Sequence, residues 1–492
     1  MKSKHIYILL LIILGLGALL RFYQLGAKSL WTDELATMVN TANIVDFKTF
    51  LEHTVNDDLP KFYSLLLKFW ITLGNSEFFM RALSVIFGIL SIWVVYVLSR
   101  LFFDAKASLS AAFLTAISPF LLLYDREIRV YSLFTLLSLL ATYLFVKSIR
   151  DNKKYLWLLF TAVSILNVYT HYYAFLTLGV QWLFLIIRKR SYRQLVKPWL
   201  IANCTIFLFF MVRMMAFIKD IAYFAPWAIP RERFPFIFTK EIVEIFYIFF
   251  SFTVGQTIMP WNFYAVPILL VTIACFVLGI RKNSSLARES LYLLLLIFVP
   301  VLIGVVFRIS LPRYFMFIAP LVYIFIAKGI WVLPKKVMVI AGLVIILGWG
   351  YGLKNYYTDK EFHFLGSVDP WREVGGYLKE NVREKDALYC LGLGVVPLRH
   401  YYNSSIPGFE GPGLIKKLES LDKAGTKRIW LIFTYQEEYE SWLKACAILS
   451  KDYTVISEKK WGADPDYKLK KRFFKKNFLP YRIIAQLYER KL

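Results

Sequence analysis

Long apolar runs separated by short polar breaks fill the first 353 residues. A helix needs about 20 mostly apolar residues to cross the hydrocarbon core of a bilayer. Runs of that kind predict eleven transmembrane helices, near residues 5–25, 80–103, 107–124, 130–148, 155–170, 174–188, 198–217, 263–280, 290–307, 315–333 and 337–353. Lys2, Lys4 and the apolar run from Ile6 to Leu20 imitate a secretory leader, but no convincing small-residue cleavage site follows, so the run reads as an uncleaved first span. The stretch 241–259 is set apart: it opens with Glu241 and Glu244 on one helical face, and counting it as a span would carry Arg281, Lys282 and Arg288 to the opposite side. It reads as an interfacial helix on the outer surface.

After residue 353 the pattern changes. Segments 370–382, 394–402, 413–423 and 436–449 have helical spacing, and Ala387–Leu391, Arg428–Phe433 and Tyr453–Ser457 read as strands. Such alternation predicts a small α/β domain. The expected fold class is an all-α polytopic membrane domain over 1–353, followed by an extracytoplasmic α/β domain over 354–492.

Charge fixes the expected orientation. With the N-terminus inside, the inner segments carry 18 Lys and Arg against the three acids Asp104, Asp151 and Glu289, whereas the outer flanks hold thirteen acids. Cytoplasmic loops are the ones enriched in Lys and Arg. An odd number of spans then puts 354–492 outside.

Composition agrees. The chain is 58% hydrophobic, 18% aromatic and 19% charged, against roughly 45–50% apolar and 25% charged in soluble domains. A soluble globular protein and a disordered one are both excluded. The net charge of +25 is spread over membrane flanks, so nucleic acid is not an expected partner. Four cysteines form no CxxC, and Cys390 and Cys446 read as free thiols rather than a pair.

Five polar clusters abut the spans on the outer side: Trp31-Thr32-Asp33-Glu34; Asn56-Asp57-Asp58-Leu59-Pro60-Lys61; Tyr124-Asp125-Arg126-Glu127-Ile128-Arg129-Val130-Tyr131; Thr170-His171-Tyr172-Tyr173; and Pro312-Arg313-Tyr314. Ionisable groups at membrane depth are costly and mostly functional. Carboxylates can take a proton from an acceptor hydroxyl, and arginines grip phosphate through bidentate hydrogen bonds. Both together at a lipid surface suit attack of a hydroxyl on a sugar whose leaving group is a lipid phosphate. No phosphate-cradling glycine loop is present.

In order and sidedness these residues resemble the glycosyltransferase-C superfamily: Trp-x-Asp-Glu after the first span, Glu127-x-Arg129-x-Tyr131, Thr170-His171-Tyr172, Pro312-Arg313-Tyr314, then Pro320 and Ala327-Lys328-Gly329. The nearest group is the bacterial and archaeal proteins related to dolichyl-phosphate-mannose protein mannosyltransferases, aminoarabinose transferases and rhizobial galacturonosyltransferases. The resemblance implies Asp33 as general base, with Glu34 beside it. It implies Arg129 and Arg313 as contacts to a polyprenyl-phosphate-linked sugar donor. Asp57, Asp58, Lys61, Glu127, Tyr131, His171, Tyr172 and Tyr314 are further candidates for holding donor or acceptor. The acceptor class stays open among lipid, polysaccharide and protein. One departure stands out: where relatives often carry Asp-x-His-Pro-Pro or Glu-Lys-Pro-Pro, Leu59 takes the His or Lys place and Lys61 replaces the second Pro. No cofactor is firmly implied, and a divalent metal stays open, without support from the residues.

Plainer readings stand beside these. Asp33 and Glu34 also suit an acidic helix start favoured by the dipole, with Trp31 as an interfacial anchor. Glu127 and Arg129 could pair across a tight loop, and Arg313 could snorkel to headgroups. A polytopic transporter would place its charges near the midplane on broken helices. A catalytically silent scaffold would tolerate loss of Asp33.

Overall fold

In the computed structural model, the residues described are 3–42, 44, 46, 48–49, 52, 62–188, 190–215, 217–218, 237–281, 289–307, 309–360, 369–402, 408–409, 411–420, 426–434, 439–464, 467–474 and 480–491. They fall into two compact units that are discontinuous in sequence: Met1–Leu25 with Met38–His363, and Gly26–Thr37 with Phe364–Leu492. Hydropathy alone drew a single cut after residue 353. A twelve-residue segment after the first apolar run instead groups with the C-terminal residues, to which Leu30 and Ser29 are hydrogen-bonded through Tyr401 and Arg372.

The first unit is helical. Its principal helices are α1 (Ser3–Phe22), then, after α2 (Thr32–Ala42) which begins in the second unit, α3 (Phe62–Trp70), α4 (Glu77–Arg100), α5 (Ala105–Ile117), α6 (Pro119–Asp125), α7 (Tyr131–Asp151), α8 (Lys154–Val168), α9 (Ala174–Ile187), α10 (Val196–Met211), α11 (Ile237–Thr253), α12 (Ala265–Arg281), α13 (Ser290–Val306), α14 (Ala319–Ile330) and α15 (Lys335–Tyr357). Among the described residues, six helices are long and apolar enough to cross a membrane: Lys4–Phe22, Glu77–Arg100, Tyr131–Asp151, Arg193–Met211, Pro312–Ile330 and Lys335–Tyr357. The bent pair α5 and α6 passes the same test jointly, and α8, α9, α12 and α13 are shorter apolar helices. Each coincides with one of the expected spans. α11 covers most of the stretch set apart as interfacial, and it exposes Ile242, Val243 and Phe246 while burying Ile248, Phe250 and Phe252.

The bend matters most for the site. Ser118 precedes Pro119, and a residue before proline is pushed out of the helical region. Ser118 is extended (ψ 119°), its hydroxyl accepts from the Leu121 amide, and it is hydrogen-bonded to the Tyr323 hydroxyl at 2.7 Å. The chain resumes at 56° to α5. The wholly buried α6 then delivers Asp125 and the turn that follows it. Elsewhere backbones meet without side chains between them: a Cβ on Gly279 would lie 2.0 Å from the Phe325 carbonyl oxygen, and one on Gly329 1.8 Å from that of Cys275. Only glycine permits α12 and α14 to cross this closely.

The second unit is a three-layer α/β fold. Strands β1 (Ala387–Leu391), β2 (Gly408–Phe409), β3 (Arg428–Thr434), β4 (Tyr453–Ala463) and β5 (Tyr481–Arg490) form one sheet in the order β2-β1-β3-β5-β4. β1 runs parallel to β2 and β3, and β5 antiparallel to β3 and β4. Successive side chains of a strand point to opposite faces. Cys390, Trp430 and Ile432 therefore pack on α16 (Trp371–Asn381) and α17 (Val395–Tyr401). Tyr389, Leu431 and Phe433 pack on α18 (Gly411–Glu419) and α19 (Tyr439–Asp452). A last helix, α20 (Tyr467–Phe474), precedes β5. The C-terminal half differs from the sequence reading: β4 runs to Ala463 rather than Ser457, and β2, α20 and β5 were not foreseen. Buried on both faces, β5 reads as an apolar run without alternation. All four cysteines are free.

Candidate functional site

The sequence-derived candidates divide between the two units. Glu127, Arg129, Tyr131, His171, Tyr172, Arg313 and Tyr314 belong to the first, Asp33 and Glu34 to the second. Asp57, Asp58 and Lys61 lie outside the described residues.

In the first unit, a buried ion pair sets the turn after α6. Arg21, fully buried on α1, donates from Nε to Asp125 Oδ2 at 2.8 Å and from Nη1 to the Ala116 carbonyl at 2.9 Å. The Ser132 hydroxyl donates to Asp125 Oδ1 at 2.8 Å. Asp125 presses on α4 at Gly88, where a Cβ would sit 2.5 Å from the carboxylate. A charge this deep is tolerated because it is paired and hydrogen-bonded. Beside it, Arg126 lies over the rings of Tyr356 and Tyr357 at 5.0 and 5.1 Å, and Glu127 is buried.

The turn then presents Arg129 to a cage of aromatic rings. The Arg129 guanidinium sits 5.5 Å from the Tyr131 ring centre, and that of Arg313 sits 5.7 Å from the rings of both Tyr131 and Tyr314. Pro312 starts the short 3₁₀ turn Pro312–Ile318 that brings Arg313 there. The His171 ring lies 6.2 Å from Tyr131, 5.7 Å from Tyr314 and 5.2 Å from Tyr173, and stacks on Phe134 at 4.7 Å. His171 occupies the turn between α8 and α9. Enclosure among the rings, then the charges of Arg129 and Arg313, push its pKa down to about 3, so it is neutral in the physiological range. Its Nδ1 accepts from the Tyr173 amide at 3.1 Å, which leaves the proton on Nε2 as a donor. Tyr124 meets Tyr131 at 5.9 Å and donates its hydroxyl hydrogen to Gln256, in the buried turn after α11.

Five candidates thus converge: Arg129, Tyr131, His171, Arg313 and Tyr314. Tyr172 does not join them. Its hydroxyl accepts from Arg213 at 2.9 Å (Nη2) and 3.2 Å (Nε), and its ring packs on Phe217 at 4.9 Å. Arg213, fully buried, went unread because it falls inside an apolar run taken as a span. Gln256 likewise carried no sequence signal. An arginine in an apolar run was the one clue that could have flagged Arg21 and Arg213.

In the second unit, α2 opens the segment that carries the first-loop acids. The fully buried Glu34 accepts from the Trp31 amide at 3.4 Å, a carboxylate three residues into a helix reaching back to its cap. Asp33 is half-buried, and its carbonyl accepts from the Thr37 hydroxyl at 3.0 Å. The two adjacent acids therefore differ: Glu34 closes the helix start, and Asp33 keeps partial access to solvent. Among the described residues, no group of three or more His, Cys, Asp or Glu is placed to hold a metal ion.

A family model described as dolichyl-phosphate-mannose-protein mannosyltransferase matches residues 58–216. Comparison with curated protein sequences found no match. Among solved structures, ArnT from Cupriavidus metallidurans in the apo state aligns with a TM-score of 0.57 at 10% identity, over 97% of this chain and 97% of that one. The same protein bound to undecaprenyl phosphate gives a TM-score of 0.56 at 11% identity, with 97% of each chain covered. The archaeal oligosaccharyltransferase AglB from Archaeoglobus fulgidus, in complex with an inhibitory peptide and a dolichol-phosphate, gives 0.61 at 10% identity, over 99% of this chain and 89% of that one. At these identities the likeness is one of fold. The chain thus shares the fold of these membrane glycosyltransferases, and its residues 58–216 match the mannosyltransferase family model.

Proposed function

We infer that the chain is an integral membrane glycosyltransferase that moves one sugar from a polyprenyl-phosphate carrier to an acceptor hydroxyl on the outer side of the membrane. The observation that carries this reading is the pair of guanidiniums, Arg129 and Arg313, over the one ring of Tyr131. A phosphate reached by both accepts planar, charge-assisted hydrogen bonds from the two guanidiniums. The neutral His171 adds an Nε2–H donor, and the rings around it give a wall on which a sugar face or an isoprenoid chain can pack. Fold neighbours bound to undecaprenyl phosphate and to a dolichol-phosphate support a ligand of that class.

In this reading, Asp33 takes the proton of the acceptor hydroxyl as its oxygen attacks the anomeric carbon. The bond from that carbon to the phosphate oxygen breaks, and the lipid phosphate leaves with the electron pair. Arg129 and Arg313 hold the leaving phosphate and stabilise its growing charge. Asp57, Asp58 and Lys61 orient donor or acceptor. The site and the C-terminal unit stand outside the membrane of a prokaryotic cell.

The test has two arms on the purified full chain. Undecaprenyl phosphate binding is measured for wild type, Arg313→Lys and Arg313→Ala. Lysine keeps the charge and loses the planar fork. A charge-assisted hydrogen bond is worth roughly 1.5–3 kcal/mol, so both variants should bind at least ~10-fold more weakly. Single-turnover loss of label is then followed from a panel of undecaprenyl-phosphate-linked hexoses and pentoses. Asp33→Asn should bind the donor normally and react at least ~100-fold more slowly. Unchanged binding by Arg313→Ala removes the phosphate site, and an active Asp33→Asn removes the base.

A further inference from the structure

The segment before α2 is held at two points by the C-terminal residues of its own unit. The Leu30 amide, fully buried, donates to the Tyr401 hydroxyl oxygen at 2.7 Å. The Arg372 amide donates to the Ser29 hydroxyl at 3.0 Å. The Arg372 guanidinium donates to the carbonyls of Ala27 and Gly26 at 3.2 and 3.3 Å. Gly26, Ala27, Ser29 and Leu30, in the segment leading to Asp33, are thereby held by two residues more than 340 positions away in sequence.

Those two side chains are themselves well seated. Tyr401 ends α17, and α17 approaches α16 so closely that a Cβ on Gly375 would lie 2.8 Å from the Tyr401 Cβ and carbonyl oxygen. Arg372 is the second residue of α16, directly after the fully buried Trp371 that packs against the sheet. Hence the rigid α/β layer, not the polar loop, sets where Leu30, Trp31 and the start of α2 stand. With Glu34 closing the helix start on Trp31, Asp33 has its direction fixed from both sides.

We propose that Tyr401 and Arg372 are positioning residues for Asp33, and that the C-terminal α/β layer is the platform that aims the general base. This rests on Asp33 acting as described above. Neither side chain needs to touch substrate. Each acts by removing freedom from the backbone that carries the base, and a displacement of about 1 Å at a reacting group is enough to cost on the order of 100-fold in rate.

The experiment uses the full chain with Tyr401→Phe, Arg372→Gln, Arg372→Lys and Asp33→Asn. Tyr401→Phe keeps the ring and deletes the oxygen that accepts from Leu30. Arg372→Gln deletes the fork to the two carbonyls and leaves the backbone bond to Ser29. Both should lower kcat on the most reactive labelled donor by about 10–100-fold, with KM and undecaprenyl phosphate binding unchanged. Arg372→Lys should recover part of the loss. Combined with Asp33→Asn, Tyr401→Phe should cost nothing further, because there is no base left to aim. Hydrogen exchange of the 30–37 peptide, which needs no substrate, should quicken in both variants while peptides of β3 and β5 exchange as in wild type. Unchanged exchange at 30–37 in Tyr401→Phe and Arg372→Gln overturns the positioning role whatever the activity shows. Faster exchange with full kcat in both variants overturns it as well, provided that Asp33→Asn is inactive. Activity retained by Asp33→Asn instead sinks the assignment of the base and leaves the exchange result to report the hold alone.

Discussion

Asp369, next to the start of α16, is a carboxyl group buried to 6% exposure. Burial pushes its pKa up to about 7, and the nearby Arg482 charge only partly opposes this. An unfolded aspartate ionises near 3.9, so between about pH 4 and 7 the folded unit holds the extra proton. Stability from this group is complete below the unfolded pKa and is lost as pH rises through the folded one. Thermal unfolding of the C-terminal unit should therefore worsen from pH 4 to pH 7. Asp369→Asn should flatten that slope and be the more stable form at pH 8, by on the order of 1–4 kcal/mol. Parallel pH profiles for the two forms would dismiss the idea. At this scale, part of the candidate site was readable. Arg129, Tyr131, His171, Arg313 and Tyr314 stand at span ends where polar residues are conspicuous, and they do meet. Arg21 and Arg213 were not readable, because one charge in an apolar run barely moves a hydropathy average. The partner of Arg21, Asp125, is 104 residues away.

Elements carry the next layer of control. The break at Ser118-Pro119 is written in two adjacent residues, and it ends one helix and aims the next. What aims α6 correctly is the locked Arg21–Asp125–Ser132 group pressed against the bare backbone of Gly88. Gly88→Ala puts a methyl group into the carboxylate and should cost about 1–3 kcal/mol, as overpacked cores do. Gly342→Ala is the matched control: it also lies within a helix, nothing stands within 4 Å of its added Cβ, and alanine is the better helix former. Thermal unfolding in detergent should show a lowered midpoint for Gly88→Ala alone. Equal midpoints for the two variants would mean that Asp125 can move aside without loss.

On the scale of the whole molecule, charge sidedness is the organising prediction. The three acids on the side assigned to the interior each have a local task. Asp104 caps α5 by accepting from Ala107 at 3.0 Å, Asp151 pairs with Lys147 at 2.7 Å, and Glu289 pairs with Arg150. Lys147 and Arg150 are thereby paired, but orientation follows the count of Lys and Arg, to which acids add little, so the bias stands. Cysteines placed at the exposed positions Lys153 and Lys416 should differ in intact cells. A thiol reagent that cannot cross the membrane should label 416 and miss 153. Labelling at 153 alone would invert the orientation and carry the proposed site to the wrong face.

Taken alone, the amino-acid order determined where the apolar helices lie, that β1 and β3 are strands, and which polar residues crowd the span ends. These features are local: a run of about 20 apolar residues, a period of two, or a Ser-Pro break acts through its immediate neighbours. Tertiary structure decided the rest. It drew Gly26–Thr37 into the C-terminal unit, turned Tyr172 toward Arg213, separated the buried Glu34 from the half-buried Asp33, and paired β5 between β3 and β4. Each of these depends on groups far apart in sequence that meet only after the chain has packed, where a buried amide or charge must find its partner. Composition and periodicity hold no record of that partner's address.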